Sequence, residues 1–343
     1  MTPAASIPVN LEPETLDLSR RAASADPQAY AADEAMRLAG SHYENFPVVT
    51  LLVPKELRPD FAAVYAYCRT CDDLADETGV GPEARARSLA LLARFREMFV
   101  ECEAHARDPS RPAPTHPVFV ALARTIRAHD LPPEPFHHLI DAFEQDQRVT
   151  RYDTWEQVLD YCTRSADPVG RIILRLAGRR PTDADWAELV AMSDATCTAL
   201  QLTNFWQDVR RDLFERDRVY LPVETGISAD DLRAWADESA GATGSAPANR
   251  IRYIHAVRGL CARTRAFFEK GRPLPARLGP TFGRVVWMFG AGGEAVLDAV
   301  ERSGCTTLWR RPRLNALGKL TIVARGSLKR FPRPVHGTPG SGA

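Results

Sequence analysis

The chain has 343 residues, 45% of them hydrophobic and 26% charged, which is the make-up of an ordinary globular protein. Its 44 basic and 44 acidic residues cancel to a formal net charge of zero, so the basic excess that accompanies a nucleic-acid partner is missing and none is expected. Seven cysteines are scattered along it, and Cys68-Arg69-Thr70-Cys71 has no second pair, which argues against a zinc ribbon. The cysteines read as small apolar fillers on helices of a reduced, cytoplasmic protein.

Residues 1–27 are rich in Pro, Ala and Ser without a sustained period and are expected to form a mobile tail. Gln28 to Ala39 holds good helix formers, and a turn around Pro47 and Pro54 follows. Lys55 to Thr78 reads as a long helix. Pro82 to Arg107 is another, with Leu89, Leu92, Phe95 and Phe99 at three- and four-residue steps. Asp108 to Pro117 is Pro-rich and reads as a loop. His116 to His129 and Glu134 to Arg148 are two further helices. Thr154 to Cys162 begins the next, and Pro168-Val169-Gly170 predicts a break or kink in that region. Asp183 to Asp212 is a very long helical run, and Ala229 to Asp237 a short one. Gly241 to Pro247 reads as a flexible surface loop. Asn249 to Lys270 and Phe282 to Ser303 close the set, and 329–343 form a Pro/Gly-rich tail.

No strand alternation and no repeat of fixed period interrupts this series. The expected architecture is a single all-α domain over residues 28–328, a bundle of roughly ten helices whose site lies among facing helices. No basic start followed by an apolar run marks a signal peptide, and no stretch reaches the ~20 apolar residues of a membrane span. Thr281 to Val300 comes nearest, but Arg284, Glu294 and Asp298 break it. A cytoplasmic location is expected, with peripheral membrane contact left open.

Two acidic clusters carry the chemistry. The first is Asp72-Asp73-Leu74-Ala75-Asp76-Glu77, and the second runs Asn204-Phe205-Trp206-Gln207-Asp208-Val209-Arg210-Arg211-Asp212. Helical residues four apart differ by only about 40° in direction. Asp72 and Asp76 therefore point one way, as do Asn204, Asp208 and Asp212. Both clusters sit in apolar and aromatic sequence, where carboxylates repel one another and are costly to desolvate without a cation. Oxygen-only ligands suit Mg²⁺ together with substrate phosphates. The pair predicts a Mg²⁺–diphosphate site between two helices.

Tyr65-Ala66-Tyr67-Cys68-Arg69-Thr70-Cys71-Asp72-Asp73-Leu74-Ala75-Asp76-Glu77 resembles the first aspartate-rich motif of squalene and phytoene synthases. Gln201 to Asp212, followed by Arg218-Val219-Tyr220-Leu221-Pro222, is similar to the second. The resemblance runs from about Gly40 to Arg325. It implies an all-α isoprenoid synthase that joins prenyl diphosphates head to head with Mg²⁺. His42-Tyr43-Glu44-Asn45-Phe46-Pro47-Val48 and Asp160 to Gly170 resemble the HpnC type of hopanoid pathways. That resemblance implies the squalene branch, with presqualene diphosphate converted to hydroxysqualene or farnesyl diphosphate to squalene. Other enzymes of the hopanoid pathway become expected neighbours. Phytoene synthase and presqualene diphosphate synthase are the alternatives within the family. A class I terpene cyclase fits the Arg69 and Arg218–Pro222 segments poorly, and a non-catalytic helical scaffold is the reading outside enzymes.

The resemblance implies roles residue by residue. Asp72, Asp76, Asp208 and Asp212 are expected to hold Mg²⁺ and drive ionisation, with Asn204 as a neutral oxygen ligand. Tyr65 is placed with the catalytic group as an aromatic face for carbocations. Arg69 is expected on diphosphate, with Arg211 and Arg218 as weaker candidates. Asp73 and Glu77 would orient ligands or basic residues. His42, Tyr43, Phe46, Gln207 and Tyr220 complete the substrate-binding set, and Phe205 and Trp287 are further aromatic candidates. Gly170, Ala166 and Ala199 are small residues that could open a tunnel for prenyl chains. No Rossmann or Walker sequence is present, so NADPH is not predicted, although reductive members of the family use it without that fold.

Overall fold

The computed structural model describes residues 53–236 and 248–332. The expected tail at 1–27, the helix at 28–39, the candidates His42, Tyr43 and Phe46, the loop at 241–247 and the last residues of the C-terminal tail lie outside the described residues. Among the described residues the protein is all-α: it has no strand, only an isolated bridge between Arg151 and Val219. The chain divides into two compact units, one built on 56–133 and 143–148, the other on 134–142 and on 149 onward.

The first unit contains α1 (Arg58–Asp76), led in by a 3₁₀ turn at Lys55–Leu57, then α2 (Pro82–Arg107) and α3 (Pro117–His129). Prolines at the first turn start all three, where a missing N–H leaves no hydrogen bond unmade. The core forms around Tyr67, which is fully buried with Phe95 and Phe99 at ring separations of 5.1 and 5.4 Å and Phe119 at 6.2 Å. Asp60 near the start of α1 is also buried. It accepts hydrogen bonds from Thr125 (2.9 Å), His129 (3.0 Å) and Arg124 (3.3 Å), which ties α1 to α3. A buried carboxylate persists only when it is partnered in this way.

Helix α4 (Glu134–Asp146) is shared between the two units by residue number. The second unit then runs α5 (Trp155–Ser165), α6 (Asp167–Leu176), α7 (Trp186–Glu215), α8 (Ala229–Ala236), α9 (Ala248–Gly271), α10 (Leu274–Arg277), α11 (Gly279–Arg302) and α12 (Ala316–Leu328). Its core gathers on α7, with Trp206 and Tyr253 fully buried. Each aromatic polar atom has a partner: Trp206 Nε1 donates to Thr264 Oγ1 at 2.9 Å, and Tyr253 OH lies 2.7 Å from Thr307 Oγ1.

The expected break near Pro168 is present, and two further elements were not expected. The break near Pro168 falls at Ala166, and Pro168 starts α6 within its first turn instead of kinking a longer helix. The short α10 was not expected. Nor was α12, whose Gly318, Gly326 and β-branched Thr321-Ile322-Val323 depress helix propensity. What holds α12 is packing: a Cβ on Gly326 would lie 2.7 Å from Met288 Cγ, an approach that only glycine allows.

Candidate active site

The first acidic cluster closes α1. Asp72, Asp73 and Asp76 occupy its last turn, where no basic residue stands. That end of a helix carries the negative pole of the peptide dipoles, so acids there are destabilising by a few tenths of a kcal/mol to about 1 kcal/mol each. The end is held in place from outside. Ala75 carbonyl accepts from Gln147 Nε2 (3.1 Å) and Ser88 Oγ (3.2 Å), which satisfies a carbonyl the helix leaves unpaired. One guanidinium serves three carboxylates. Arg69 Nη1 lies 2.7 Å from Asp72, and Nη2 lies 2.5 Å from Asp73 and 3.5 Å from Glu77. Burial, opposed by Arg69 and reinforced by Glu77 and Asp72, pushes the Asp73 carboxyl up to about 7. Tyr65 and Asp76 are half-buried on the same helix.

The second cluster lies toward the end of α7, again without a basic residue in the last turn. Exposure falls along its face: Asn204 is exposed, Asp208 half-buried and Asp212 buried. Asp208 is gripped by Arg311, whose Nε and Nη2 donate to its two carboxylate oxygens, the latter at 2.9 Å. Asp212 accepts from Arg216 Nη1 at 3.2 Å, and its backbone carbonyl accepts the Arg218 N–H at 2.9 Å. Arg218 itself is buried. Gln207 donates to the Pro312 carbonyl at 2.8 Å. That bond fixes the segment carrying Arg311 beside the acid it contacts. Arg211 points elsewhere and pairs on the surface with Glu215 at 3.2 Å. Arg311 was not anticipated, because it lies far along the chain from Asp208 and only the fold brings the two together.

The aromatic candidates of this unit form a stack. Tyr220 lies face to face on Phe205, with centroids 3.8 Å apart and planes inclined by 8°. Tyr161 and Tyr152 extend the group at 5.6 and 5.8 Å from Tyr220. Trp287 is placed apart from these rings, on α11, with the Lys329 ammonium 5.2 Å over it.

Gly170 lies inside α6, against α7. A Cβ there would overlap Ser193 Oγ and approach Cys197 Sγ to 2.7 Å, so the residue sets the spacing of two helices. Next to it Asp167 is buried, with Thr198 Oγ1 donating at 2.8 Å. Asp194, held by Arg171 at 2.8 Å, faces it. Burial first, then the Asp194 charge, raises the Asp167 carboxyl to about 7. An unfolded aspartate titrates near 3.9. The folded state therefore binds this proton more tightly, and the stability it brings is complete below about pH 4 and lost as pH rises through about 7. Asp167→Asn is expected to gain on wild type by up to about 4 kcal/mol between roughly pH 5 and pH 8. Urea denaturation of both proteins across that range checks it, and parallel stability curves would contradict it.

Among the described residues no three His, Cys, Asp or Glu side chains converge on a point as a metal cage would require. Mg²⁺ keeps several waters and takes one or two carboxylates plus substrate phosphates. The donor sets fit that ion in kind: hard oxygens, four residues apart, at helix ends already negative.

A family model described as squalene/phytoene synthase matches residues 39–317. A hydroxysqualene synthase of Rhodopseudomonas palustris is 32% identical over 239 residues, covering 68% of this chain and 71% of the relative. A phytoene synthase of Thermus thermophilus is 32% identical over 311 residues, 89% of this chain and 95% of that protein. Among solved structures, squalene synthase HpnC from Alicyclobacillus acidocaldarius matches with a TM-score of 0.66 at 38% identity, covering 81% of this chain and 95% of that chain.

Proposed function

The chain belongs to the squalene/phytoene synthase family, and within these prenyltransferases we propose that it works in the squalene branch, converting presqualene diphosphate to hydroxysqualene with Mg²⁺. The observation that carries this is the 38% identity to squalene synthase HpnC over 81% of the chain. The hydroxysqualene synthase relative supports the same branch. A phytoene synthase is the second reading, favoured by the Thermus thermophilus match over 89% of the chain.

Mg²⁺, when bound, supplies Lewis-acid assistance to loss of diphosphate. Asp72 and Asp76 on α1, and Asp208, Asp212 and Asn204 on α7, are the residues proposed to hold it. Asp73 and Glu77 keep Arg69 in place, and Gln207 keeps Arg311 in place through Pro312. A guanidinium matches phosphate as well as carboxylate geometry, so both arginines are proposed to meet the diphosphate. Tyr220 and Phe205 make a rigid apolar wall that limits where water can reach the cation. In the proposed reaction the carbon–oxygen bond to diphosphate breaks and the diphosphate leaves. Water then bonds to the cation and gives up a proton, so no reductant is consumed and NADPH is not required.

The test is product analysis after mixing the purified chain with presqualene diphosphate and Mg²⁺, without NADPH. Hydroxysqualene is the expected product. Turnover only with NADPH would move the assignment to a reductive squalene synthase. A longer carotenoid-type product from simple prenyl diphosphates would move it to phytoene synthase.

A further inference from the structure

Helix α12 is apolar on two sides. At about 100° per residue, Ile322, Val323 and Gly326 share the side that packs on α11, where Gly326 is buried over Met288 and Trp287. On the opposite side Leu317, Leu320, Ala324 and Leu328 fall within an arc of about 80°. Leu317, Leu320 and Leu328 are 70%, 63% and 81% exposed, more than any other large hydrophobic side chain among the described residues. Single exposed leucines are ordinary, but a row of them along one helix marks an interaction surface.

The charge on this helix and at its ends has one sign. No Asp or Glu follows Glu301, while Arg313, Lys319, Arg325, Lys329 and Arg330 lie on the helix or at its ends. Arg313, Arg325, Lys329 and Arg330 are exposed. A chain of zero net charge thus concentrates positive charge beside its most exposed leucines. Thirteen helical residues span ~20 Å, short of the ~30 Å hydrocarbon core, and no helix of the described residues is long and apolar enough to cross a membrane.

We propose that α12 is a docking surface for an anionic lipid bilayer, lying along it with the leucine row in the headgroup boundary and the basic flank on lipid phosphates. An apolar row alone would suit a protein partner equally. A leucine row on a helix that carries exposed cations and no carboxylate is complementary to an anionic interface. The proposal goes beyond the reaction assigned above, and its readout does not depend on turnover.

Vesicle flotation of the full chain tests it, using phosphatidylcholine alone or with about one third phosphatidylglycerol. Wild type is expected to float with the anionic vesicles, less with the neutral ones, and less as salt is raised. The triple variant Leu317→Gln, Leu320→Gln, Leu328→Gln is expected to lower the bound fraction about tenfold or more. Arg325→Glu with Arg330→Glu should abolish the anionic preference with the leucines intact. Circular dichroism melts establish that both variants are folded. Wild type that floats with neither vesicle overturns the proposal, as does a triple variant that floats like wild type. A wild-type dimer that ignores vesicles and becomes monomeric in the triple variant would assign the row to a second copy of the chain instead.

Discussion

Asp208→Ala is expected to lower kcat/KM by about three orders of magnitude, the scale of losing a group that acts on charge developing in a transition state. The fold should barely respond. Asp208 is half-buried, and its partner Arg311 is 36% exposed along its side chain. Freed of the acid, that guanidinium can turn to water, so the expected stability cost is below about 1 kcal/mol. Asp72→Ala is expected to behave alike, since Asp73 and Glu77 still engage Arg69. The measurement pairs steady-state turnover at saturating Mg²⁺ with a thermal melt. Near-normal turnover in both variants would remove the metal assignment altogether.

Two positions away, Trp206→Ala is expected to have the opposite profile in the melt. Trp206 is fully buried, stacks on Trp155 at 6.3 Å and donates to Thr264. Truncating such a side chain removes about 3–5 kcal/mol of stability through lost transfer and an unfilled cavity. For a chain of this size that is roughly a 4–7 °C fall in the melting midpoint. Thr264 Oγ1 also donates to the Leu260 carbonyl at 2.8 Å, so its own proton stays satisfied and the loss is mainly one of packing. An unchanged midpoint would mean that the indole does not sit in the core.

These two residues show what the sequence could and could not reveal. The helices were legible because their apolar spacing and starting prolines are local signals, and α2 runs over Pro82–Arg107, the span its pattern predicts. The acidic clusters were legible as faces because four-residue spacing fixes direction. The surroundings of each acid were not. Nothing near Asp208 in the chain announces Arg311, which reaches it only through tertiary folding and the Gln207–Pro312 bond. Gly170 was read as a residue that opens space, and the structure has α7 filling the space its missing side chain leaves. Periodicity could not reveal α12, because glycines and β-branched residues hide a helix that packing stabilises.

The grip of Arg311 on Asp208 gives this helix face a resident competitor. A cation that is to bind Asp208 must win the carboxylate from a two-pronged guanidinium already in place. Its apparent affinity is therefore reduced by the fraction of molecules in which the acid is held. Selectivity follows from the same contest. A singly charged ion gains little by displacing another single charge, whereas a dication arriving with a diphosphate offers the acid a stronger partner and the arginine a new anion. On the proposed assignment, the face would respond to the two ligands together more than to either alone.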